Sequence, residues 1–487
     1  MWTGDQRYVI VFNGEVYNFQ EIAKDLDCDL RTTGDTEVII EGFAKWGPKC
    51  VERFNGMFAF AIYDTQDKTL YLYRDRMGIK PIYYYWQNGL FAFASELKAL
   101  LQLDQVKKNL SLNHQAINLY LHLGYIPEPH SIYNNIYKFP SGAYGVVKND
   151  KLTIQSYWKL EDKVTAYKIS DFNLAKAELK RLVESSVRYR MISDVPFGTF
   201  LSGGVDSSLV TAVAQSLSSS PINTFSIGFK EAKYNEAEYA AAVAQKLGTH
   251  HHEFRVNYDD ALSLMDSILD SYDEPYADPS AIPTMLVSKL ARQHVTMTLS
   301  GDGGDELFFG YGTYLWIRRL NNFLLKANRK LIATVLSRMN SRYKRAAHLF
   351  RFSPSDDLRS HVFSQEQYFF RAAEVGDILN PEFRTGKISF PHPKLARELN
   401  DIEGQAFFDL QYYLKDDLLV KVDRASMKYS LETRVPLLDY RIVEFALNVS
   451  PDLKLHNGTM KYLLKEVLYD YVPREMFDRP KWGFTIP

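Results

Sequence analysis

The sequence predicts an α/β protein built from two unlike units, on three observations. The first hundred or so residues alternate short, aromatic-rich runs with turns, the pattern of an antiparallel sheet. After about residue 170, apolar runs alternate with helical segments, the pattern of a doubly wound parallel sheet. Two of those later runs end in glycine-rich loops, "FLSGGVDSS" and "LSGDGGDE".

In chain order, "RYVIVFNG", "GMFAFAIYD", "TLYLYRDR", "PIYYYWQNG" and "LFAFASE" show period-two apolar patterning and are each expected as a strand. "DTEVIIEGFAKWG" has helical spacing instead and is expected to stop at Gly47 and Pro48. "KFPSGAYGVVKNDKLTIQSYWKL", residues 138–160, reads as a hairpin on the way out of the first unit. "DFNLAKAELKRLVESSVRYRM" is a helix, and the run before Ser202 is a strand feeding another helix from Val205. "INTFSIGF" and "HHEFRV" follow as strands with the helix "NEAEYAAAVAQKLG" between them, and "HVTMTLSGDGGDE" repeats the strand-to-loop design. From Tyr314 onward the chain is expected to be mostly helical.

Composition narrows the class. With 487 residues, 46% apolar and 24% charged, the chain has the make-up of an ordinary globular protein of two or three domains. A net charge of −1 gives no global field for nucleic acid or anionic lipid. The densest basic stretch, Trp316 to His348, interleaves its charges with Leu, Ile and Val at helical spacing and reads as a solvated helix face. Two cysteines, Cys28 and Cys50, are too few for a disulfide framework and fit a reducing cytoplasm. There is no run of about 18 apolar residues to span a membrane, and no signal-peptide pattern.

The loop at Ser202 has the chemistry of an anion site. Backbone N–H groups converge with a helix N-terminus, and Gly203 and Gly204 allow close backbone approach. It lacks the lysine of the common nucleotide loop. Asp206 at the helix start repels a bare phosphate, so a cation is expected between them, most simply Mg²⁺. The second loop offers Asp302, Asp305 and Glu306 at another strand end, and ligands of open α/β sheets bind outside those ends.

With these residues set out, "FLSGGVDSS" resembles the pyrophosphate loop of ATP-pyrophosphatase enzymes, which cleave ATP to AMP and pyrophosphate. The resemblance widens along the chain. "VIVFNGEVYNFQEI", "TTGDTEVIIEGFAKWG", "RFNGMFAFAIYD", "RDRMGIKPIYY" and "FASELKAL" are similar to the glutaminase domain of glutamine-hydrolysing asparagine synthetases. "VPFGTFLSGGVDSSLV", "TFSIGF", "SGDGGDELFFGY", "VDRASMKYSLETRVPLLD", "TMKYLLKEVL" and "RPKWGF" are similar to their synthetase domain.

The resemblance implies a partial Ntn-hydrolase α-β-β-α glutaminase sandwich over residues 1–150, a linker over 151–172 and an ATP-pyrophosphatase domain over 173–487. It implies amidation of aspartate to asparagine through a β-aspartyl-adenylate, with ATP as substrate, Mg²⁺ as cofactor, and glutamine or ammonia as nitrogen source. Ser202, Gly203, Gly204, Asp206 and Ser207 fall on the pyrophosphate loop; Leu201 and Ile227 match adenosine contacts; Ser300 and Gly301 match a second nucleotide strip. Asp206 and Asp305 match the Mg²⁺ ligands. Asp302 matches an acidic position tied to forming or consuming the adenylate, and is shorter than the Glu some relatives carry there. Lys461 matches a lysine that stabilises charge at the α-phosphate; without the motif it reads as a surface lysine. Asp423, Arg424, Glu432 and Arg434 are weighed for the aspartate pocket, and "THHHEF" is read as structural, because neighbouring side chains on a strand face opposite ways.

In the glutaminase part, Asn13 and Gly14 match the oxyanion hole, and Glu15 and Asp35 match the groups that bind glutamine. The family's nucleophile is an N-terminal cysteine, whereas this chain begins Met1-Trp2. Two expectations compete: a chain cut short at both ends, or a synthetase that takes free ammonia. The first is preferred, because missing strands leave an apolar sheet edge. The resemblance implies a cytoplasmic enzyme of small-molecule substrates that admits a homodimer, with no nucleic acid or membrane partner. A related amidotransferase acting on another carboxylate, in polysaccharide or secondary-metabolite synthesis as β-lactam synthetases do, is the alternative. A scaffold without activity is disfavoured by the two intact loops.

Overall fold

The computed structural model describes residues 1–229, 237–385 and 388–478; the motif "RPKWGF" and the first two residues of "NEAEYAAAVAQKLG" lie outside them. The first unit contains β1 (Tyr8–Val16), β2 (Gly56–Asp64), β3 (Thr69–Arg74), β4 (Tyr83–Gln87), β5 (Leu90–Ala94), β6 (Ile136–Lys138), β7 (Ala143–Lys148) and β8 (Lys151–Ser156). They form two antiparallel sheets, ordered β1-β2-β3-β7-β8 and β5-β4-β6.

Alternation along β2 decides what each face meets. Phe58 and Phe60 join Val38, Ile39 and Phe43 of the helix Asp35–Trp46, on the outer side of the first sheet. Ala59 and Ala61 point the other way, and their small size leaves room for Ile82, Tyr84 and Phe139 between the sheets. Helices Leu97–Leu100 and His114–Leu123 cover the far face through Leu97, Leu100 and Ala116 against Tyr83 and Tyr85. The layers are therefore helix, sheet, sheet, helix. The helix Asp35–Trp46 stops at Gly47, as its sequence requires, with φ of 68°. At the outer edge of β1, residues Met1 to Thr3 fold back alongside it, with Ile10 N donating to the Met1 carbonyl at 2.9 Å.

The second unit is built on β9 (Phe197–Phe200), β10 (Asn223–Phe229), β11 (His250–Val256), β12 (Met297–Leu299) and β13 (Glu432–Arg434). Their order is β11-β10-β9-β12-β13 and every pairing is parallel. Separate apolar clusters cover its two faces, one with Leu209, Val213, Ala240 and Leu299, the other with Phe225, Ile227, Met285 and Leu286. From β9 the chain runs outward to β10 and β11, then returns to place β12 on the other side. This reversal between β9 and β12 is the switch point where such sheets bind ligands.

β13 is a strand inside the stretch expected to be helical. Its three residues, Glu432, Thr433 and Arg434, show no apolar alternation, and pairing with β12 alone makes them extended. Apart from β13 and a short hairpin of Leu455–His456 with Thr459–Met460, the described residues of this region are mostly helical as expected, and they include a π-helical stretch, Asp409–Leu418, continuous with helices Asp401–Phe408 and Leu419–Met427. In the basic stretch the charges are solvated, though Phe323 and Leu324 also stand exposed.

The units are joined by buried polar contacts. Lys415 Nζ lies 2.5 Å from Glu128 Oε1, and Asp416 accepts from the Glu128 amide at 3.1 Å. Lys80 pairs with Asp423 at 3.0 Å, and Arg424 with Glu96 at 3.2 Å. Asn55 donates to Asp439 Oδ2 at 2.9 Å, an oxygen that Arg190 also approaches at 3.1 Å.

Candidate functional site

The two glycine-rich loops meet at the switch point. After β9, Ser202, Gly203 and Gly204 lead into the helix Val205–Leu217, whose first turn carries Asp206. Ser202 Oγ and Ser207 Oγ are 3.0 Å apart, and the Ser202 amide donates to Ser207 Oγ at 3.2 Å, so the hydroxyls brace the turn. Gly203 has φ of 73°, and a Cβ there would lie 2.8 Å from Ala240 N, so this position needs glycine twice over. The exposed first amides of a helix of this length, next to hydroxyls, form an anion cradle.

After β12, Ser300 to Gly303 lead into the short helix Gly304–Phe308. This loop packs directly on the first. A Cβ on Gly301 would lie 2.6 Å from Ser207 N, and one on Gly304 would lie 2.4 Å from Asp206 Cγ. Ser300 is buried, and its hydroxyl has no protein partner among the described residues, which leaves a polar atom for a ligand at the site.

A third segment completes the arrangement. Lys461 Nζ lies 2.5 Å from Asp206 Oδ2 and 2.7 Å from Asp305 Oδ1, with its side chain 8% exposed. It caps the helix Tyr462–Leu468 in a left-handed conformation, φ 56°, which turns the side chain back over the loops. Gly310 makes room for it: a Cβ there would lie 1.8 Å from Asp305 Oδ1 and 2.1 Å from Lys461 Cε. Burial opposes the lysine charge, but the Asp206 and Asp305 carboxylates outweigh it and hold Lys461 firmly protonated. The lysine that would read as a surface residue without its motif is thus a buried hub.

Other expected residues are placed nearby. Leu201 and Ile227 are buried at the carboxyl ends of β9 and β10. Asp302 acts electrostatically on buried Lys421, which pairs with Asp278 at 3.2 Å and donates to Ser280 Oγ at 2.9 Å. Lys421, Asp278, Gly304 and Gly310 were not singled out from the sequence. Next to Asp305, burial and then the Asp305 charge push the Glu306 carboxyl up to about 8, while Tyr311 OH donates to its Oε1 at 2.6 Å.

The four glutaminase positions gather at the end of β1. Asn13 donates to Ser95 Oγ at 3.2 Å, and Asp35 Oδ2 accepts from the Val16 amide at 2.9 Å, beside Glu15. Gly14 lies against β2 so closely that a Cβ would meet Met57 O at 2.0 Å. Burial pushes Glu15 up to about 7, with Arg434 opposing the shift. Cys50 is buried in the apolar core and burial pushes its thiol up, so it is no thiolate nucleophile.

The four residues weighed for an aspartate pocket are engaged elsewhere. Asp423 holds Lys80, Arg424 holds Glu96 and the Ser95 carbonyl, and Arg434 holds Glu432 and Glu15. Along β11, His251 is held between the Thr224 and Ser226 hydroxyls, whereas His252 stacks on Phe225 and packs at a tilt against His294 with ring centroids 4.1 Å apart. The alternate facing expected of these neighbours is what the strand shows.

Comparison with known proteins agrees with both halves of this geometry. A family model described as Asparagine synthase matches residues 178–487, and one described as Glutamine amidotransferase domain matches residues 1–158. A putative glutamine-hydrolysing asparagine synthetase 2 of Methanocaldococcus jannaschii is 39% identical over 433 residues, 86% of this chain and 81% of the relative. Glutamine-hydrolysing asparagine synthetase 1 of Bacillus subtilis is 31% identical across 99% of this chain and 76% of its own length. A putative glutamine-hydrolysing asparagine synthetase of Mycobacterium tuberculosis is 33% identical across 99% of this chain and 75% of its own. The sandwich of the first unit, the paired loops of the second and these matches lead to one conclusion: the chain belongs to the asparagine synthase family of enzymes.

Proposed function

We propose that this chain amidates L-aspartate to L-asparagine at the expense of ATP, by way of β-aspartyl-AMP. The observation that carries the reading is the meeting of two glycine-rich loops with Lys461 at the β9/β12 switch point. A carboxylate is a poor acylating agent, and joining it to the α-phosphate supplies AMP as a good leaving group. Ser202, Gly203, Gly204 and Ser207, with the helix N-terminus, hold the β- and γ-phosphates as departing pyrophosphate. Leu201, Ile227, Ser300 and Gly301 border the adenosine. Lys461 keeps a fixed positive charge for the α-phosphate. Asp302 serves formation and consumption of the adenylate on the side of Lys421.

Asp206 and Asp305 fit Mg²⁺, since two carboxylates from different strand ends already converge on one cationic group. When bound, the ion neutralises charge on the pyrophosphate as it leaves. Asn13, Gly14, Glu15 and Asp35 are the glutamine positions. Cys28 and Cys50 are internal and neither serves as the glutaminase nucleophile, so ammonia is the nitrogen source proposed for these 487 residues. Residues 1–150, 151–172 and 173–487 act as amidotransferase unit, linker and synthetase unit. The reading carries a cytoplasmic setting, small-molecule partners only, and a homodimer; among the described residues no helix is long and apolar enough to cross a membrane.

The test is to incubate the chain with ATP, Mg²⁺ and aspartate, supplying ammonia or glutamine, and to measure pyrophosphate and asparagine. Both products with ammonia alone are expected. Asparagine formed from glutamine overturns the nitrogen source, and pyrophosphate released only with a different carboxylate overturns the acceptor.

A further inference from the structure

Arg434 touches both units, the segment that leads to the first loop, and the start of the second loop. Its guanidinium donates through Nε to Glu432 Oε1 at 2.6 Å, and through Nη1 to the carbonyls of Arg190 at 3.1 Å and Ile192 at 2.6 Å. Nη2 lies 3.2 Å from Glu15 Oε1 on β1. The main-chain carbonyl of Arg434 accepts from the Ser300 amide at 2.9 Å.

Each contact has a structural consequence. These carbonyls lie at and just beyond the end of the helix Phe172–Arg190, and residues 191–196, with a turn and a bend, lead from there to β9 and Ser202. A cation on the last carbonyls of a helix offsets its dipole and fixes its exit. The side chain therefore sets the approach to the first loop, and the backbone sets the start of the second. The guanidinium is buried and is itself held by Glu432 from its own strand, by Glu15, and by the ring of Tyr17 at 5.4 Å. Glu15 and Tyr17 both belong to the first unit.

We propose that Arg434 is a positioning residue of the ATP site and that Glu15 orients it, so that the charge at a glutamine-binding position is felt at the nucleotide loops. This rests on the reading above for the identity of those loops. Without the Glu15 charge, the buried guanidinium swings toward Glu432 and loosens its hold on the carbonyls that aim β9. Glu15 acts here with no glutamine involved.

The experiment is Glu15→Gln, assayed with ammonia as nitrogen donor and, separately, by the rise in melting temperature that ATP produces. The expected result is a KM for ATP raised roughly 5-fold, the lower end of usual coupling between sites, and a smaller ATP-induced rise. The melting temperature without ATP is expected to fall only slightly, because Glu432 still neutralises the buried guanidinium. Arg434→Met is expected to weaken ATP binding further, and the double variant to match Arg434→Met alone, because Glu15 acts through that side chain. An unchanged KM for ATP and an unchanged ATP-induced rise in Glu15→Gln overturn the proposal, as do additive effects in the double variant. If Arg434→Met does not fold, Glu15→Gln decides alone. If the wild-type chain makes no asparagine, the functional reading fails, while the ATP-induced rise still decides this one.

Discussion

Lys461 and Asp206 stand 255 residues apart in the chain and 2.5 Å apart in space. Asp305 approaches the same ammonium from the neighbouring strand end. Two carboxylates this close repel unless a cation lies between them, so the lysine governs both the chemistry of the site and the way its loops stay together.

Lys461→Met is expected to reduce pyrophosphate release about 10²- to 10³-fold, the usual effect of deleting one charge-stabilising group. The ligand-free melting temperature should fall as well, because the two carboxylates then face each other unshielded. A rate close to wild type in the pyrophosphate assay would remove Lys461 from the chemistry.

Gly310→Ala tests the space around the hub. The added methyl falls on Asp305 Oδ1 and Lys461 Cε. Overpacking of this kind costs about 1–3 kcal/mol, and here the strain lands on Asp305 and Lys461. Activity should be lost in a chain that still folds by circular dichroism. Gly376→Ala, with nothing within 4 Å of its Cβ, should keep wild-type activity.

The buried Glu306 makes stability depend on pH in a definite sense. Its carboxyl, ordinarily at 4.5, is pushed up to about 8, so the folded chain keeps a proton that the unfolded chain gives up. Stability from this group is fully present below the ordinary value and is lost as pH rises through about 8. Asp409, pushed up to about 7 by burial, adds in the same direction. Glu306→Gln should flatten the decline between pH 6 and 8.5 in denaturant unfolding. Equal slopes for the two proteins would show that Glu306 does not titrate in that window.

Asp439 has a structural role at the domain junction. It is fully buried, Arg190 is 1% exposed beside it, and Arg441 and Asn55 bind the same carboxylate. Asp439→Asn leaves Arg190 buried without its counter-charge, a change that costs about 3–5 kcal/mol. The loss should appear as a lower denaturation midpoint. A midpoint within error of wild type would contradict this account.

Most of the framework was legible in the chain because local chemistry matched the global fold. β1 and β2 are apolar, aromatic-rich runs bounded by turns, the helix Asp35–Trp46 ends at a glycine that can take positive φ, and both loops follow apolar runs. β13 was not legible: three polar residues become a strand only by lying beside β12. Nor did spacing distinguish Gly310 from an ordinary turn glycine, because what it makes room for comes from residue 461. The same holds for Arg434. Its partners Glu15, Arg190 and Ser300 are scattered along the sequence, and only packing brings them to one residue.

The long separation of Asp206 from Lys461 has a consequence during synthesis on the ribosome. Translation of the intervening 255 residues takes roughly 13–50 s at ordinary elongation rates. Through about half of that interval the nascent chain already holds both glycine-rich loops but neither Lys461 nor β13, the strand whose carbonyl anchors Ser300. The two carboxylates must wait uncompensated, so the junction of the two loops is among the last parts of the molecule to lock, and a stalled ribosome would carry a chain with both loops made and no charge to close them.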